Sequence, residues 1–166
     1  MGGISVLFLM SILSFIFAII IAILVYQIAV YFFESISIMC MCKNLKYKAP
    51  ITAWIPFYNK YLLGKIAGSK VLGTILASLN GLTFLFLMFS YSKGKYGGIS
   101  SLMFLICSLI GFLFDIIVAH KVYDKAEIKY GDLLTVFSVL TVGILRPIFL
   151  FMIRNKVSIR DAVIEE

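Results

Sequence analysis

Four long apolar runs make up most of the chain, and the polar residues fall between them. The first run, Ile4 to Phe33, is interrupted only by Ser, Tyr and Gln among polar types. It exceeds the roughly 20 residues that cross a hydrocarbon core, so it predicts a tilted helix or one that emerges from the membrane. Glu34 is the first charge and marks the end of the span, although the helical pattern continues through Ile36, Ile38 and Met41 to Cys42. The other runs predict spans over 71–89, 99–119 and 133–153, the last interrupted by Arg146-Pro147. Asp115 lies in the third span, which ends at His120. The expectation is one all-α domain over residues 1–166, an integral membrane four-helix bundle.

Residues 43–70 read differently. Here lysines, Pro50, Pro56, Trp54 and several tyrosines alternate with apolar residues. The residue before a proline disfavours helix, so Ala49 and Ile55 are expected to be extended. A continuous span would also carry Lys60 and Lys65 near mid-depth, at about 2.5–3.5 kcal/mol each. A short helix from Phe57 to Ala67, stopped by Gly68, fits better. Lys60 and Lys65 fall about 140° apart on it, so it is not cleanly amphipathic. It is expected to wedge at the headgroups as an interfacial or re-entrant helix. Lys60 and Lys65 would snorkel there, with Trp54, Tyr58 and Tyr61 as anchors.

Composition supports the lipid reading. Of 166 residues 62% are apolar and 14% charged, and the mean hydropathy is +1.07. A soluble domain is nearer half apolar and a quarter charged. The net charge of +7 sits in short connections, which suits anionic headgroups and gives no nucleic-acid stripe. Nine Lys and Arg fall in the 1–2 and 3–4 connections, against five in the 2–3 loop and the tail 154–166. By the positive-inside rule both termini are then outside. The N-terminus lacks a basic n-region and a cleavage site, so it reads as a retained span with a weak myristoylation signal. Three cysteines, Cys40, Cys42 and Cys107, form no disulfide framework.

Candidate chemistry is sparse. Gly73, Ala77 and Gly81 recur every fourth residue and would let another helix approach closely, with Asn80 beside that face. Asp115 and Arg146 are the charges inside predicted spans, and intramembrane charges are functional suspects. Asp115 falls near the inner end of its span and Arg146 about two turns from the outer end of its own. Straight helices would therefore keep them apart. Each is read first as structural and second as part of a proton or ion pathway. Met39-Cys40-Met41-Cys42 offers soft sulfur, but successive helical residues face different ways, so no metal is expected. His120 is the only histidine. No nucleophile elbow, zinc-binding pair or phosphate loop is present, so neither enzyme activity nor a cofactor is expected.

The block Ala53-Trp54-Ile55-Pro56-Phe57-Tyr58-Asn59, followed by Tyr61-Leu62-Leu63-Gly64-Lys65-Ile66-Ala67, resembles one carried by a family of small uncharacterised bacterial membrane proteins common in Gram-positive anaerobes. Pro147-Ile148-Phe149-Leu150-Phe151-Met152-Ile153-Arg154-Asn155-Lys156 is similar to the family's second block, and Lys121-Val122-Tyr123-Asp124 to its basic-aromatic connection. The resemblance covers about two thirds of the chain. It implies this topology and a bacterial plasma-membrane home, and it implies no activity. The leading expectation is a non-enzymatic subunit or scaffold that packs against itself or another membrane protein. The alternative is a small transporter or channel with a polar path through Asp115, Asn80 and Arg146. A holin-like permeabiliser is a weaker third.

Overall fold

The computed structural model describes residues 2–48, 50–90, 97–126 and 129–157. The described elements are all helical. They comprise α1 (Gly2–Asn44), a 3-10 turn (Pro50–Trp54), α2 (Tyr58–Ile66), α3 (Lys70–Ser90), α4 (Gly97–Lys125), α5 (Gly131–Leu140) and α6 (Arg146–Ile153). Three of them, α1, α3 and α4, are long and apolar enough to cross a membrane. The loop after Ser90 and the tail beyond Val157, whose lysines and arginine entered the charge count, lie outside the described residues.

α1 runs unbroken for 43 residues because no Gly or Pro interrupts 4–44. At 1.5 Å per residue it is about 65 Å long, twice a hydrocarbon core of about 30 Å. Lys46, at φ 55, then turns the chain. Pro50 opens the 3-10 turn, where a missing N–H costs nothing. α2 starts after Phe57 at φ 65 and ends at Gly68 at φ 86. The Ser69 N–H donates to the Gly64 carbonyl and the Gly68 N–H to the Lys65 carbonyl, each at 3.0 Å. That pair of bonds is a Schellman stop, so the glycine ends the helix where the sequence placed its end.

α2 lies tightly against α3. A Cβ built on Gly64 would collide with the backbone of Gly73, and one on Gly73 would meet the Tyr61 carbonyl oxygen at 2.5 Å. Gly73 is therefore consumed inside the chain and is not free for a partner. Gly81 meets nothing within 4 Å, and Ala77 is half-buried. Of the three small residues, Gly73 is thus packed against α2, while the Gly81 end of the face is open.

Two helical expectations are corrected. The third helix continues past His120 to Lys125. The fourth run is two short helices, because residues 141–145 break it. The Gly143 N–H donates to the Ser138 carbonyl at 2.7 Å and the Val142 N–H to the Val139 carbonyl at 2.9 Å. Val142 takes φ 52 and Gly143 φ 80. Pro147 then occupies the first turn of α6, the place in a helix that tolerates it.

The buried core gathers at one end of the molecule. Ile38, Met41 and Cys42 of α1 meet Leu63 and Ile66 of α2, Leu76 of α3, Val118 and Val122 of α4, and Leu150 of α6. Every residue from Phe8 to Ile28 is exposed.

Candidate functional site

Where the core begins, four helices each deliver one charge to the same place. Glu34 comes from α1, Lys60 from α2, Asp115 from α4 and Arg146 from the first position of α6. Glu34 Oε1 accepts from Lys60 Nζ at 2.7 Å and also from Arg146. Asp115 pairs with Arg146 through Oδ2 and with Lys60 through Oδ1 at 3.4 Å. The pairs close a ring of alternating sign, Lys60 to Glu34 to Arg146 to Asp115 and back to Lys60. Two carboxylates and two cations leave it formally neutral.

The ring is buried. Side-chain exposure is 6% for Glu34, 5% for Arg146, 15% for Lys60 and 19% for Asp115. A charge removed from water costs several kcal/mol unless its partners are well placed, and here every charge has two. Burial, reinforced by the nearby Arg146 guanidinium, pulls the Lys60 ammonium down to about 8, while the Glu34 carboxylate holds it up. Among the described residues, Arg146 Nε is buried without a hydrogen-bond partner.

This arrangement corrects two expectations. Lys60 does not snorkel; it points into the protein against Glu34. Asp115 and Arg146 do not miss each other. One straight fourth helix would have kept them apart, whereas the break at 141–145 puts Arg146 at the start of α6, against α4. The sequence reading also missed Glu34 as a site residue. The available signal was its position inside an apolar helical pattern that continued to Cys42, flanked by Ser35 and Ser37.

A pocket of about 350 Å³ opens onto the ring. All four charges line it, together with Asn80, Asn59, Gln27 and Tyr31. Phe57 and Val142 line it as well, and both hold positive φ without being glycine. For Val, whose Cβ is branched, that backbone costs roughly 1–2 kcal/mol. Non-glycine residues held this way concentrate at functional sites. A smaller pocket of about 190 Å³ continues along the seam of α3 and α4, lined by Asn80, Thr83, Ser108, Gly111, Phe112 and Asp115.

The predicted aromatic anchors Trp54, Tyr58 and Tyr61 do not line either pocket. The Tyr31 hydroxyl donates to the Trp54 carbonyl at 2.5 Å, and the Trp54 ring meets Phe32 edge-on at 5.3 Å. Tyr58 and Tyr61 lie 5.3 Å apart. Lys65 sits over the Tyr47 ring at 4.4 Å. His120 does not line the pocket; it bonds Thr135 at 2.9 Å near Asp124 and Asp132. Both of those carboxylates are exposed. Comparison with protein-family models, curated proteins and solved structures finds no match.

Proposed function

We propose that the chain is a small membrane carrier or channel that passes a polar or charged solute through the pocket at the Glu34–Lys60–Asp115–Arg146 ring. The observation that carries this reading is the pocket itself. It brings Asp115, Arg146 and Asn80 together at the break between two apolar helices. Discontinuous helices whose freed backbone lines a polar cavity are a recurring way to build a solute site at membrane depth. On this reading α5, the break and α6 make one interrupted crossing, giving four crossings. Residues 43–70 then sit at the inner surface of a bacterial plasma membrane, with both termini outside. The family resemblance belongs to the same reading.

Purified protein in lipid vesicles tests it, with flux of protons, monovalent ions and small zwitterions as readout. Wild type should conduct at least one of them, and Asp115→Asn should abolish that flux. Vesicles that pass none of them sink the reading.

A second reading, a subunit of a membrane complex, is favoured by the exposed length of α1. Residues 8–28 are exposed throughout, so lipid or another helix has to cover them. Cross-linking in native membranes from Ala77→Cys and Ser14→Cys separates the two cases: an adduct supports the subunit, and monomer alone from both positions removes it.

A further inference from the structure

The smaller pocket differs from the larger one in the chemistry of its walls. No lysine or arginine lines it. Four of its lining residues, Asn80, Thr83, Ser108 and Asp115, carry side-chain oxygens that can accept. The Asn80 amide Nδ2 donates to the Leu76 carbonyl at 2.9 Å. The Thr83 hydroxyl donates to the Leu79 carbonyl at 2.8 Å. Both groups thus use donors on their own helix, and what Thr83 has left is lone pairs. The amide of Asn80, oriented by that bond, keeps Oδ1 to accept and one N–H to donate. Asp115 is acceptor-only when ionised; its Oδ2 pairs with Arg146, while its Oδ1 is held by Lys60 only at 3.4 Å, longer than a good charge-assisted bond of about 2.8 Å. Ser108 is an exposed residue of α4 and can turn its hydroxyl either way.

We propose that this pocket is a monovalent-cation site, with Asn80, Thr83, Ser108 and Asp115 as its oxygen ligands. This rests on the carrier reading only in sharing Asp115. Hard cations take carbonyl, hydroxyl and carboxylate oxygens. A divalent ion of this class gathers more carboxylate than the single, already paired Asp115 supplies. The volume of about 190 Å³ equals roughly six waters at about 30 Å³ each, enough for an ion that keeps part of its hydration shell. Gly111 lines the pocket with no side chain of its own. Asn80, Phe112 and Asp115 line both pockets. An ion in the small pocket therefore sits next to the ring, and on the carrier reading it sits next to the solute.

Binding of radioactive sodium and rubidium to the detergent-purified protein tests this. The control is N-methylglucamine chloride at equal ionic strength. Wild type should bind one of the two ions saturably. Thr83→Val and Ser108→Ala, which keep shape and lose an oxygen, should each weaken binding roughly tenfold, about 1.4 kcal/mol. Asn80→Asp adds a carboxylate and should shift preference toward calcium. Should the first two variants fail to fold, this third one decides the matter. Wild type without saturable binding, or variants that bind as wild type does, overturn the proposal. Flux that is lost in Asp115→Asn yet indifferent to the cation keeps the carrier and sinks the site. Cation binding without flux does the reverse.

Discussion

The two halves of α1 are one helix in two solvents. From Phe8 to Ile28 every residue is exposed, and the only polar side chains are Ser11, Ser14, Tyr26 and Gln27. From Ala29 to Asn44 the same helix buries Glu34, Ser35, Ser37, Ile38, Met41 and Cys42. The difference is not one of helix propensity, because Ile, Phe and Ala fill both halves. It lies in what covers the surface. Lipid tails offer an apolar side chain as good a neighbour as protein does, and they offer a charge nothing. Glu34 is tolerable only where Lys60 and Arg146 arrive from other elements. Other elements already touch α1 at Tyr26, whose hydroxyl donates to the Ile144 carbonyl at 3.2 Å, but charge on α1 begins only where cationic partners reach it.

The strongest way to break that comparison is to remove one member of the ring. Arg146→Leu leaves Glu34 with Lys60 alone and takes away one partner of Asp115. Breaking a buried pair by removing one side costs about 3–5 kcal/mol. Unfolding of the detergent-purified variant should show a loss in that range. A loss under about 1 kcal/mol would mean that water reaches the ring freely and that its charges are not isolated from solvent. Replacing all four charges by Leu or Met should cost less than the single change, because no charge is then stranded.

Much of the fold was legible in the sequence, and the reason is local. Apolar runs set α1, α3 and α4, and Gly68 set the end of α2, because these depend on residues near one another in the chain. The ring was not legible. Asp115 and Arg146 were singled out as charges in apolar surroundings, yet their meeting depends on a five-residue break at 141–145. Only Pro147 and Gly143 hinted at that break. Lys60 was assigned to the headgroups because nothing in residues 43–70 reveals that α2 turns this lysine toward Glu34, 26 positions earlier. The spacing of Gly73, Ala77 and Gly81 suggested one face toward a partner. The close approach of Gly64 to Gly73 shows instead that part of the signal was spent on the chain's own hairpin.

That hairpin gives a middle-sized test. Gly64→Val places a branched side chain against the Gly73 backbone, which cannot rotate away as a side chain would. Overpacking of this kind costs about 1–3 kcal/mol. Because α2 carries Lys60, the strain should also move the ring. Ser69→Ala, which loses only the hydroxyl that accepts from the Leu72 N–H at 3.3 Å, should cost about 1 kcal/mol or less. If Gly64→Val unfolds at the wild-type midpoint, α2 does not sit on α3 as described.

The smallest expected effect lies on the other half of α1, and it is informative because it is small. Phe15 is 68% exposed. In isolated protein, Phe15→Ala exchanges one lipid- or detergent-facing side chain for another, and an exposed change of that sort shifts stability by about 0.5 kcal/mol or less. Ile38→Ala, on the same helix but fully buried, removes core volume and should cost about 2–5 kcal/mol. The ratio between them measures how completely α1 changes solvent along its length. Should Phe15→Ala be neutral in detergent yet lower the yield or thermal stability of the protein in native membranes, something other than lipid covers that surface there. The exposed half would then be an interface and the subunit reading would gain. Neutrality in both settings leaves lipid as its only neighbour, and places whatever the protein does at the ring.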